Sequence, residues 1–223
     1  MMNADNIESK FQEFETYDTL SDKEIFTKIW TEPRRVLKHI NETKYEKYFY
    51  ILLFLAGVSG AFDRAVNKNM GENVSLLGIV AGCVILGGLL GWLSYYIYAA
   101  LLSWTGKWLD GKGDTDSIYR ILAYAMIPSA ISLIFLVPQI AVYGIDLFVK
   151  DGDLVNAGIV GNIVFWGSIL LEIILGIFTI IFSVIGLSEV QKISVWKAIL
   201  NLVLPLLIIL GPIVIIAFII YGL

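Results

Sequence analysis

From Asn73 to Gly106 the chain carries no Asp, Glu, Lys or Arg. No other feature limits its fold so strongly. A helix needs roughly 20 predominantly apolar residues to cross a hydrocarbon core, so this one stretch is long enough to do so. Similar stretches recur, and the composition agrees with them. Hydrophobic residues make up 57% of the 223-residue chain and charged residues 16%, and mean hydropathy is +0.77. Soluble domains carry nearer a quarter charged residues, so a soluble fold is excluded. Lipid must be the solvent for most of the chain, and in lipid the backbone is satisfied internally by helices.

The pattern predicts an all-α membrane protein, a bundle of about five transmembrane helices preceded by an amphipathic interfacial helix. Residues 1–20 read as a disordered polar tail, 21–47 as a cytoplasmic amphipathic segment and 48–223 as the transmembrane domain. The start of the chain is acidic and polar (Asn3, Asp5, Glu8, Lys10). No cleavable signal is therefore expected, and the first apolar run must direct insertion. That run is Tyr48 to Phe62, between Lys47 and Arg64. The second lies within Asn73–Gly106 and ends in an aromatic cluster (Trp92, Tyr95, Tyr96, Tyr98, Trp104) that suits an interfacial belt. The third begins near Tyr119 and runs towards Asp146 with Pro128 and Pro138 inside it. The fourth occupies much of Leu154–Ser188, and the fifth is Ala198–Leu223. The third and fourth are longer than a crossing requires, which leaves room for a kink or a re-entrant piece.

Basic residues near span ends favour the cytoplasmic side. With the N-terminus inside, Lys28, Arg34, Arg35, Lys38, Lys44, Lys47, Lys107, Lys112, Arg120, Lys192 and Lys197 are cytoplasmic, and only Arg64, Lys68 and Lys150 lie outside. Ser21-Asp-Lys-Glu24 reads as a capping box. Ile25, Phe26, Ile29 and Trp30 follow on one helical face. Beyond Pro33, the residues Val36, Leu37 and Ile40 continue that stripe beside Arg34, Arg35 and Lys38. Such an element lies along the headgroup layer or packs on the protein's own cytosolic face. Trp30, Pro33, Arg34 and Arg35 are the candidate interfacial or partner surface. Small residues four apart (Ala56 and Gly60, Gly78 and Gly82, Gly87 and Gly91) allow close helix packing within the chain or in a homo-oligomer.

Catalytic chemistry finds no foothold. Gly57-Val-Ser-Gly60 has the G-x-S-G form of a serine nucleophile, but a serine needs a base. The single histidine, His39, precedes the first span, so the motif reads as packing. One histidine and one cysteine, Cys83, make neither a usual zinc site nor a disulfide. Gly144-Ile-Asp146 lacks a partner aspartate, and Asp110-Gly-Lys-Gly-Asp114 lacks the strand and spacing of a phosphate loop and reads as a flexible turn. Asn41-Glu-Thr43 and Asn73-Val-Ser75 have the form of glycosylation acceptors. Neither an enzyme, a cofactor, a metal nor a nucleic acid is expected. The exception is Glu172, a carboxylate inside the fourth span, which is costly there and by default marks function. It serves either a proton or cation relay, with Asp146 or Arg120 as partner, or helix packing against Asn162, Ser168 or a tyrosine.

Arg120-Ile-Leu-Ala-Tyr-Ala-Met-Ile-Pro128 resembles a stretch that recurs in the Yip family, membrane proteins named for interaction with Ypt/Rab GTPases. There an Ala-Tyr-Ala-like triplet precedes a proline in the third span, which singles out Arg120, Tyr124 and Pro128. Trp30-Thr-Glu-Pro-Arg34 resembles the segment before the first span of bacterial members. Gly186-Leu-Ser-Glu-Val-Gln-Lys-Ile-Ser194 with Trp196-Lys-Ala198 resembles the loop joining the last two spans. The resemblance covers about residues 21–223. It implies a non-enzymatic protein that organises membranes or scaffolds other membrane proteins. It also implies a bacterial inner membrane, or the Golgi or ER membrane in a eukaryote. The Asp-Leu-Tyr-Gly-Pro signature of the eukaryotic members is missing, so GTPase binding is not carried over.

Overall fold

The computed structural model describes residues 20–154 and 158–221, and these are helical with short connections. The expected tail, residues 1–20, lies outside the described residues except for Leu20. Two short helices come first, α1 (Asp22–Lys28) and α2 (Pro33–Glu42). The bundle follows as α3 (Phe49–Asn67), α4 (Leu76–Gly82) continuing through a π turn (Cys83–Gly87) into α5 (Gly88–Lys107), α6 (Thr115–Ala125) and α7 (Ile127–Tyr143) in line, α8 (Gly158–Gln191), and α9 (Val195–Tyr221). Four of these units, counting α4–α5 and α6–α7 as one each, are long and apolar enough to cross a membrane, and α9 adds a shorter apolar stretch over Val195–Ile208. The chain is a helical membrane bundle.

Local chemistry sets the boundaries. Ser21 caps α1 as a full capping box, its hydroxyl accepting from the Glu24 amide while Glu24 accepts from the Ser21 amide at 3.0 Å. The Ser75 hydroxyl accepts from Gly78 N–H at 3.3 Å to start α4. Asp114 accepts from Ser117 N–H at 2.7 Å and starts α6 ahead of the expected Tyr119. The third span breaks at Met126 because Pro128, in the first turn of α7, lacks the amide that would continue α6.

Two boundaries correct the sequence reading. The first span does not stop at Phe62: α3 continues to Asn67 and takes in Asp63 and Arg64, whose side chains enter the two clefts described below. The fourth span is one continuous helix, with no re-entrant piece among the described residues. At 1.5 Å per residue the 34 residues of α8 extend for about 50 Å, well beyond the roughly 30 Å hydrocarbon core. The surplus is spent at the α2 end, where Phe182, Val184, Gly186, Leu187 and Val190 are buried under α2 and α6.

The helices approach closely where side chains vanish. A β-carbon on Gly57 would lie 2.6 Å from Gly91 Cα, and one on Gly87 would lie 2.4 Å from Ala61 Cβ. The seam between α3 and α4–α5 therefore uses Gly57 and Ala61 against Gly87 and Gly91, one residue out of register from the expected Ala56 and Gly60. Such contacts gain dispersion that lipid cannot match. Elsewhere the outer surface is apolar: Leu86 and Leu90 on α4–α5, Ile134 and Val137 on α7, and Ile173 and Ile177 on α8 are all more than half exposed. An apolar girdle of this extent suits lipid, not water.

Candidate functional site

The motif residues and the amphipathic segment meet at one end of the bundle. Ile25 of α1, Ile29 at its C-cap, and Val36, Leu37 and Ile40 of α2 are completely buried, sharing one core with α6 and the end of α8. Of the two placements the stripe allowed, its apolar face is taken by the protein itself. Gly186 makes this possible, since a β-carbon there would strike Ile121 at 2.3 Å and touch Leu37 at 3.4 Å. Trp30 packs edge-on against Phe178 and Phe182 of α8, with centroids 5.2 and 5.6 Å away, and its indole donates to the Phe26 carbonyl. Pro33 begins α2. Arg34 and Arg35 stay exposed on its polar face, Arg35 paired with Glu32 at 2.7 Å.

The linker from α2 to α3 is pinned by groups that sequence reasoning missed. The Asp22 carboxylate accepts from Tyr45 Oη at 2.7 Å, Tyr48 Oη at 2.8 Å and the Lys47 ammonium. These donors, Lys47 first and then the two phenols, hold the Asp22 carboxyl well below the usual carboxylate range. Lys47 is raised by the same contact, and burial followed by the Asp22 bond pushes the Tyr45 phenol up. Tyr124, wholly buried, lies beside the Tyr45 ring, and its hydroxyl accepts from Tyr48 N–H at 3.4 Å. Buried Arg120 donates Nε and Nη2 to one oxygen of Glu46, at 3.0 and 2.7 Å. The Arg120–Pro128 stretch thus positions the N-terminal layer.

A polar clamp closes the same end. The Gln191 amide donates to the Leu102 carbonyl at 2.9 Å and accepts from Gly113 N–H at 3.3 Å. Asn201 donates to the same Leu102 carbonyl at 3.1 Å and accepts from Thr105 Oγ1 at 2.6 Å. The loop Asp110–Asp114, expected as a flexible turn, wraps this amide: a β-carbon at Gly111 would lie 2.1 Å from Gln191 Oε1.

The intramembrane carboxylate sits elsewhere. A cavity of about 410 Å³ opens between α3, α7 and α8, lined by Ser59, Asp63, Ser129, Ser132, Glu172 and Thr179 among apolar neighbours. Glu172 accepts from Gln139 Nε2 at 2.6 Å. None of the expected partners reaches it in hydrogen bonding. Arg120 is held by Glu46 in the N-terminal layer, Asp146 lies in a 3₁₀ turn (Gly144–Phe148) at the opposite end, and Asn162 donates to the Gly158 carbonyl. Ser59 of the G-x-S-G segment lies 3.4 Å from Ser129 and 3.3 Å from Ser132, while His39 is on α2. Sequence reasoning gives Asp63 and Gln139 no role, since one lies just past the expected end of the first span and the other follows Pro138 in an apolar run. A lone glutamine in such a run was the available signal.

A family model for the Yip1 domain matches residues 27–216, well over half of the chain. No curated protein and no solved structure gives a match. The matched region takes in α2, the four long apolar units and most of α9, and the chain belongs to the Yip family.

Proposed function

We propose that the chain is a non-enzymatic membrane protein that organises its bilayer or scaffolds and traffics other membrane proteins, and that it meets them through the outward face of the N-terminal layer. One observation carries this reading. The apolar stripe of α2 is consumed by the protein's own core, and the face turned outward is charged, with Arg34, Arg35 and Lys38 exposed and Glu32 and Glu42 paired beside the last two. An ordered, charged surface offers recognition without needing lipid to fold it. The excess of Lys and Arg at this end supports a cytoplasmic layer; the family resemblance favours a bacterial inner membrane, or the Golgi or ER membrane in a eukaryote.

Deleting residues 1–40 is a poor test, because it would remove Ile25, Ile29, Val36, Leu37 and Ile40 from the core. Charge reversal is cleaner. The triple variant R34E/R35E/K38E leaves every buried group in place, and it should insert normally yet lose the partners that wild type captures by crosslinking in mild detergent. Undiminished capture would remove the basic face from the proposal.

A second reading has its own support in the polar cleft around Glu172. Two acids and four hydroxyls lining one cavity within the bundle, with the Gln139 amide donating to one of the acids, are costly unless used. In that reading the protein is a small transporter or channel for protons or cations. Glu172→Gln would then abolish flux in proteoliposomes with the fold intact, and a wild type silent over a broad solute panel would end the idea.

A further inference from the structure

A second cleft, of about 530 Å³, lies between α3 and α4–α5. Its walls come from these units and Met70 alone, so it opens away from the rest of the bundle. Ile79, Leu86 and Leu90 make it apolar, and Gly60, Gly78 and Gly82 make it deep. The π turn Cys83–Gly87 forms part of one wall, a departure from α-helical geometry that tends to persist where it serves a ligand. At one end stand Arg64 and Lys68, one turn apart, in the last turn of α3 and at its cap. That places them at headgroup level, remote from the N-terminal layer. Neither side chain makes a hydrogen bond or salt bridge with any described residue.

We infer that this cleft binds an anionic phospholipid, an acyl chain lying along the glycine-lined wall and the headgroup phosphate held by Arg64 and Lys68. Charge complementarity selects this occupant over a partner helix. A helix would meet two cations without a salt bridge, Arg64 offset only by the field of the adjacent Asp63, at the end of a mostly apolar groove, whereas an anionic lipid supplies both the apolar tail and the counter-charge. Basic pockets between transmembrane helices bind acidic headgroups at the cytoplasmic face, and Arg64 with Lys68 offers the same chemistry at the opposite face. This site is independent of the partner surface proposed above.

The test is native mass spectrometry of the full chain in mild detergent, titrated with phosphatidylglycerol and phosphatidylcholine of matched chains. Wild type should retain phosphatidylglycerol preferentially. R64Q/K68Q should lower that retention about tenfold, each basic residue near the surface contributing a few-fold. Gly82→Leu should abolish retention of both lipids. A β-carbon at Gly82 has no atom within 4 Å, so the larger side chain enters open space and leaves the helix seam alone. Circular dichroism and elution volume establish that each variant is folded, and the single K68Q at an exposed position serves if the pair is not. Equal retention of the two lipids by wild type, or retention by folded R64Q/K68Q or K68Q matching wild type, would overturn the assignment. So would loss in Gly82→Leu without loss in the cation variants, because the headgroup would then go unread.

Discussion

Arg120 lends its guanidinium to a single oxygen of Glu46, through Nη2 at 2.7 Å and Nε at 3.0 Å, although one partner is 8% exposed and the other 57%. That asymmetry fixes what each substitution does. Removing the exposed carboxylate leaves the cation underneath without its partner, while water relieves part of the loss. Glu46→Gln should cost about 1 kcal/mol. Arg120→Ala should cost more, about 2–3 kcal/mol, because the aliphatic stem is also lost from the core. A double-mutant cycle followed by thermal unfolding in detergent checks both, and a coupling energy near zero would contradict the pairing.

The layer should also answer to pH. Asp22 sits below its ordinary value of 3.8 because Lys47, Tyr45 and Tyr48 donate to it. A depressed acid stabilises the docked form above its unfolded value, and that contribution fades as pH falls below about 4. Tyr45 and Lys47 are both raised, so their contributions hold below about pH 10 and fade above it. Amide protection over residues 22–48, measured against the intrinsic exchange rate at each pH, should therefore fall at both extremes. D22N should lose the acid limb, being equally loosened at pH 6 and pH 3. An unchanged acid limb in D22N would assign the effect to other groups.

The seam at Gly57 and Gly91 predicts a sharp contrast between glycines. Gly57→Ala puts a methyl 2.4 Å from the Gly87 carbonyl oxygen, and backbone cannot rotate aside as a side chain would. A loss of about 2–3 kcal/mol is expected. Gly176→Ala, with nothing within 4 Å of its β-carbon, should be neutral or gain up to about 1 kcal/mol from helix propensity. Melting temperatures in one detergent compare the two directly.

Gln191→Leu tests the clamp. The Leu102 carbonyl keeps Asn201 as a donor, but Gly113 N–H loses its acceptor. The expected cost is about 2 kcal/mol, accompanied by faster proteolysis within Asp110–Asp114. A variant as resistant as wild type would mean that the loop holds itself.

The membrane class was legible because solvent exclusion by a bilayer is written in local composition. The charge-free run from Asn73, the capping box at Ser21 and the Arg120–Pro128 stretch needed no long-range knowledge. What escaped was pairing across helices. Nothing near Glu172 in the chain announces Gln139, and nothing near Arg120 announces Glu46, because each pair is brought together by crossings whose rotation the sequence leaves open. The same cause explains the one-residue slip from Ala56 and Gly60 to Gly57 and Ala61: small residues crowd that helix, and the neighbour decides which of them is used. The excess length of the fourth span was visible, but its destination was not.

That destination has a mechanical corollary. A single uninterrupted rod, α8, presents Gly186 to the amphipathic layer and Glu172 to the polar cleft about 20 Å away. Long α-helices curve gently unless something breaks them. Gly186 and Glu172 lie on one continuous element, so a shift of its surface end would bear on the distance between Glu172 and Gln139. The amphipathic layer and the polar cleft thus share one helix as a common wall.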